Sequence, residues 1–168
     1  MTANSNQNTH FNLHVSGVGY LNRVRWVKTS SRGGRKAEPF LACSISAMHG
    51  SSDEPSYTYL DLRVSGREAV EMVDQLGADV DAKRKVFVSF RVGDIYAHLY
   101  ERSVRDQSGK PTGEKETAAI IKGRLLLLNS ITIDGERVYT RESEQEPAPG
   151  VAPQPVQTSH EPEPVQAM

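Results

Sequence analysis

A chain of 168 residues with 37% hydrophobic residues is long enough to bury one proper core and too short for two full domains. No apolar run approaches the ~20 residues needed to cross a bilayer, and the first ten residues, MTANSNQNTH, lack the basic and apolar regions of a signal peptide. A cytoplasmic protein with no membrane association is therefore expected. The formal net charge of −1 hides an asymmetry, because the stretch after Arg141 holds five glutamates and no lysine or arginine, which leaves 20 basic against 16 acidic residues in the body. A mildly basic body can attract a polyanion, although the placement of its charges decides more than their sum.

Residues 1–9 are polar and read as a disordered arm. From His10 to Thr29 apolar residues alternate with polar ones, interrupted by Gly17 and Gly19, which predicts a bent first strand serving two sides of a small barrel. Trp26, in its second half, is expected in the core, the alternative being an exposed ring that would make a strong stacking platform. Ser30 to Glu38 is a loop whose Arg32, Arg35 and Lys36 either grip phosphate or keep the loop soluble. Pro39 opens a second strand with Leu41, Cys43, Ile45 and Ala47 on one face, while small residues dominate the other. Such a face either packs close to another backbone or lines a groove that a ligand enters. Cys43 is the only cysteine, which rules out an intramolecular disulfide or a Cys-based metal site, and its strand pattern makes it a buried thiol.

After the turn-rich HGSSDEPS, the stretch YTYLDLRVSGREAVEMVDQL changes period within twenty residues. Thr58, Leu60, Leu62 and Val64 form the dry face of a third strand, with Tyr57, Tyr59, Asp61 and Arg63 on the wet one. Ser65 and Glu68 have the spacing of a capping box, Ala69, Val73 and Leu76 make a helical stripe, and Gly77 reads as a stop. The basic run Lys83, Arg84, Lys85 leads into a fourth strand in which Val86, Val88, Phe90 and Val92 alternate with polar or aromatic residues. Asp94 to Tyr100 continues it after a bend. Arg102 to Glu116 reads as the tip of a long, mobile hairpin. Ala118 to Ile133 is a fifth strand, whose leucine run suggests burial on both faces. Asp134-Gly135 is a turn before a short edge strand at Arg137 to Thr140. Six of the nine prolines lie between Pro147 and Pro164, so 142–168 is expected to be a disordered acidic tail. The fold class expected for 10–141 is all-β with one helix. Three strands, a helix and two strands in that order match a five-stranded OB-fold barrel, with the helix between strands 3 and 4.

These residues resemble bacterial single-stranded DNA-binding proteins from about His14 to Ile133, through an aromatic in the third strand, a glycine before a short helix and basic residues leading into a strand of valines and aromatics. FNLHVSGVGYLNRV, PFLACSISAMHG, YTYLDLRVSGREA and FRVGDIY also resemble the replication-associated proteins of integrative conjugative elements. The resemblance implies an OB fold, homo-oligomerisation as a tetramer or dimer, and binding of single-stranded DNA during replication or transfer of a mobile element. Carried over by position, the third-strand stacking aromatic falls on Tyr59 and the fourth-strand one near Tyr96. The second-strand aromatic falls near Met48 or His49, and a further one on Ser65, where this chain has no large ring. The ending EPEPVQAM departs from the acidic cluster and apolar tip with which such binders recruit partners, so contact with replication or conjugation proteins through the tail is an open expectation.

Aromatic side chains suit single-stranded nucleic acid because every base has a π-face. Tyr57, Tyr59, Tyr96 and Tyr100 are the candidate stacking residues, the alternatives for them being ordinary strand surface or an oligomer interface. Arg63, Arg67, Arg91, Lys122 and Arg124 are the candidate phosphate contacts, with Lys83 to Lys85 read as a solubilising turn. Catalysis is not expected: the five histidines lack metal-ligand spacing, no phosphate-binding glycine loop or nucleophile elbow is present, and no cofactor or metal site is indicated. Two functions remain, non-sequence-specific binding of single-stranded DNA and a protein-interaction or assembly module that keeps the fold without the ligand.

Overall fold

The computed structural model describes residues 11–29 and 38–142. The expected N-terminal arm, the basic loop up to residue 37 and the tail beyond Glu142 lie outside the described residues.

Six strands and one helix follow the expected order: β1 (His14–Val27), β2 (Phe40–Gly50), β3 (Pro55–Val64), α1 (Arg67–Asp81), β4 (Val86–Arg105), β5 (Pro111–Ile133) and β6 (Glu136–Thr140). The described chain is all-β with one helix. Neighbouring strands run β3-β2-β1-β4-β5-β6, and β3 also pairs with β5, so that β1 to β5 close into a ring. That closing pair is parallel and the others are antiparallel.

One long first strand makes the ring possible, as its interrupted pattern predicts. Gly19 to Val27 pair with β2, while His14 to Tyr20 pair with β4. At the overlap only glycine fits, because a Cβ on Gly19 would lie 2.3 Å from the carbonyl oxygen of Ser46. The register against β2 then slips between Asn22 and Arg25, with Arg23 at a φ of 47°. A bulge of this kind sharpens the local twist of a strand.

Period-two alternation places the core. Leu41, Cys43 and Ile45 of β2, Leu60, Leu62 and Val64 of β3, and Val86, Val88, Phe90 and Val92 of β4 are all buried, and Ala69, Val73 and Leu76 lay the helix onto them. Burial, with Asp61 adding, pushes the Cys43 thiol up to about 12, so at neutral pH it is a packed apolar group and no nucleophile. On β5, Leu125 and Leu128 are buried but Leu126 and Leu127 only half so, and the leucine run is thus dry on one face.

Four further local readings are corrected. The N-cap is Gly66, at a φ of 91°, and it makes no side-chain cap bond. Ser65 is still held by the sheet, its N–H donating to the carbonyl of Leu125 at 2.9 Å, and Glu68 instead pairs with Arg141 at the end of β6. Gly77 does not stop the helix; it packs against Val24, and the chain leaves the helix at Lys83, which has a φ of 62°. Trp26 is 52% exposed, its indole N–H donating to Asp74 of the helix at 2.8 Å. The expected hairpin tip is also shorter than Arg102 to Glu116, since β4 and β5 remain paired out to Arg105 and Pro111.

Candidate nucleic-acid interface

Residues opposite one another in a ladder share a face, and the register therefore writes out the outer surface of the ring. One row runs Tyr96, Lys122, Asp61, Ser44, Asn22 across β4, β5, β3, β2 and β1. Four strand spacings of about 4.8 Å make it roughly 19 Å wide. On one side lies the row Tyr59, Ser46, Tyr20. On the other lies Arg124, Arg63, Ala42, Arg25.

The small residues of β2 shape this surface. Between Tyr59 and Tyr20 stands only a serine, and Tyr57, Tyr59 and Tyr100 line one open groove of about 760 Å³, floored partly by Ser44 and Ser46 and bordered by Arg23 and Arg102. These rings are exposed, Tyr59 the most at 65%. Tyr96 stands in a smaller neighbouring depression of about 130 Å³ with Arg63 and Lys122. The structure thus gathers all four candidate tyrosines and three of the five candidate basic residues, Arg63, Lys122 and Arg124, on adjoining parts of one face.

Charge on this face is partly neutralised. Arg25 Nη2 lies 2.9 Å from Asp61 Oδ1, Arg102 Nε donates to Glu116 at 2.6 Å, and Arg124 Nε donates to Asp94 at 2.6 Å. Arg63 packs its guanidinium over the Phe40 ring, 4.6 Å from the centroid, and neither it nor Lys122 is ion-paired among the described residues. A guanidinium stacked on a ring is held flat with its donors facing out, ready for a phosphate or a base. The remaining two candidates lie elsewhere. Arg67 is on the helix, paired with Glu71 at 3.0 Å, and Arg91 is half-buried between Ser16 and Leu127.

Arg23, Arg25 and Arg102 border the site without having been singled out by sequence. The bulge hides the first two, since it breaks the alternation by which Arg23 and Arg25 could be assigned to a face. Arg102 was hidden by a polar stretch that reads as loop but forms strand.

Among the described residues no cluster of three His, Cys, Asp or Glu could hold a metal ion, and no helix is long and apolar enough to cross a membrane. Comparison with curated proteins and with solved structures finds no match. A family profile described as a protein of unknown function, DUF3577, matches residues 4–147, which is most of the chain and all of the described ring, and the protein belongs to that family.

Proposed function

We propose that this protein binds single-stranded DNA without sequence preference on the outer face of a five-stranded OB-fold barrel, protecting or presenting the strand during replication or transfer of a mobile genetic element. The observation that carries the reading is the open groove in which Tyr57, Tyr59 and Tyr100 stand together over the small residues of β2, with Arg63 and Lys122 alongside. Exposed rings at such spacing give a flexible strand several stacking platforms, and the flanking cations give its phosphates partners. Support for the barrel comes from the ring order β1-β2-β3-β5-β4 with a helix between β3 and β4. The mobile-element context rests on the sequence blocks that resemble replication-associated proteins of conjugative elements. Support for homo-oligomerisation comes from β1, where His14 to Val18 pair with β4 alone among the described residues and present exposed Val15 and Val18. An open strand edge is a template for a second chain.

The runner-up, an assembly module that does not bind DNA, is favoured by one observation, the engagement of Arg25, Arg102 and Arg124 with carboxylates. Titration with a poly-dT oligonucleotide, beside duplex DNA and RNA, separates the two. The single-strand reading expects binding that weakens with salt, with a slope of about −0.7 per phosphate neutralised. No binding at low salt, or binding indifferent to salt, leaves the assembly module.

A further inference from the structure

The tyrosine groove does not end at Tyr57. Asn22, Arg23 and Tyr57 also line a second groove of about 530 Å³ whose far wall is Lys83, Arg84 and Lys85 at the end of α1. Tyr20 and Lys85 are shared in turn with a third depression, which holds Phe87 and Met48. The three depressions therefore adjoin through shared side chains, and the chemistry along them alternates between ring and cation. Rings come first at Tyr59 and Tyr100, then a cation at Arg23, then the lysines, then the edge-to-face pair of Tyr20 and Phe87 with centroids 5.3 Å apart.

The basic run is built as a fixed structure. Arg84 bonds Asp79 of the helix and Asp134 of the β5–β6 turn together, the latter at 2.8 Å, and the Lys85 N–H donates to the other oxygen of Asp134 at 2.9 Å. With its middle residue clamped, the run holds Lys83 and Lys85 on either side, both exposed and neither ion-paired among the described residues. A solubilising turn has no need of this clamp, whereas two cations held beside adjoining depressions suit a polyanion that passes along them.

We infer that a bound single strand leaves the tyrosine groove past Arg23 and runs across the end of α1, where Lys83 and Lys85 contact its phosphates and Tyr20 and Phe87 offer a second stacking platform. This inference rests on the single-strand-binding reading and adds to it a path, a direction across the surface and a longer site.

The test compares oligo-dT of about 6 nucleotides, near the short end of the roughly 4–16 nucleotides that one such domain covers, with oligo-dT of about 20, which exceeds that range. The variant is Lys83→Asn with Lys85→Gln, asparagine being chosen because it tolerates the positive φ of residue 83. Unchanged thermal unfolding checks that the variant folds. The expected result is that affinity for the long strand falls on the order of tenfold and its salt slope shrinks by about 1.4, two contacts at about 0.7 each, while the short strand binds as before. An unchanged long-strand affinity, or equal losses for both lengths, overturns the path and leaves single-strand binding standing. Failure of the unaltered protein to bind either length removes the underlying reading, and the path with it.

Discussion

Arg25 reaches across β2 to Asp61, Nη2 to Oδ1 at 2.9 Å, in the middle of the tyrosine-bearing face. The two residues are on β1 and β3, and the bond passes over the strand between them because that strand offers only Ala42 and Ser44 there. Asp61 is the one carboxylate in the row that runs from Tyr96 to Asn22. It holds a cation in place and at the same time cancels its charge.

Asp61→Asn is accordingly expected to tighten binding to oligo-dT several-fold at low salt and to steepen the salt slope by about 0.7, one freed phosphate contact. Titrations at a series of salt concentrations read both. A partly exposed pair of this kind contributes about 1 kcal/mol or less to folding, so the melting temperature moves little.

Tyr59→Ala is expected to cost about 1–3 kcal/mol of oligonucleotide binding, the worth of one stack, with thermal unfolding nearly unchanged. Trp26 provides an internal control, since its indole is tied to Asp74 on the helix side of β1. Its fluorescence is expected to stay constant through a titration in which the tyrosine face fills. Quenching of Trp26 comparable to saturation would move the ligand to the helix face.

Gly19→Ala tests the closure of the ring. Its Cβ would fall 2.3 Å from one backbone atom of β2 and 2.9 Å from another, and backbone cannot step aside as a side-chain tip can. The expected loss is about 1–3 kcal/mol, read by chemical denaturation. An unaltered midpoint would mean that β1 and β2 part at this point.

Acid is expected to loosen the end of α1. The Arg84 guanidinium first, and then the Lys85 N–H, hold the Asp134 carboxyl below the usual carboxylate range. A carboxyl depressed in the folded state stabilises above its unfolded pKa of about 4, and that contribution disappears as pH falls through the folded value. Melting temperature followed downward from neutral pH is therefore expected to fall more steeply below about pH 4 in the native chain than in Asp134→Asn.

Where apolar and polar residues alternate strictly along a strand, the dry face was legible in the sequence; the unbroken leucine run of β5 hid its half-wet face. β2, β3 and the first half of β4 were legible because a single slip would have put Ile45, Leu62 or Val88 into water. Local signals failed where a distant partner outbid them. The Ser65 hydroxyl suits a cap, but its backbone is still paired to Leu125, and Glu68, the other half of that box, is drawn to Arg141. Gly77 suits a helix stop, but its lack of a side chain is used for packing against Val24, and the helix end is fixed by Arg84 and its two carboxylates. Trp26 belongs to a core by its size alone, and only the position of Asp74 explains why it stands outside. In the candidate site the tyrosines were legible as the wet side of an alternating pattern. Arg23 and Arg25 were not, because a bulge leaves no periodic trace.

Tyr100 and Arg102, one wall of the tyrosine groove, stand on the outer part of the β4–β5 hairpin, where nearly every residue beyond Leu99 is exposed. A two-stranded ribbon without a core of its own is only marginally stable in water. Its amide hydrogens are expected to exchange far faster than those of Val86 to Val92, and to slow as oligonucleotide is added. If a strand fills the groove, its wall doubles as a gauge of occupancy, the protection of these amides rising with the fraction of protein bound.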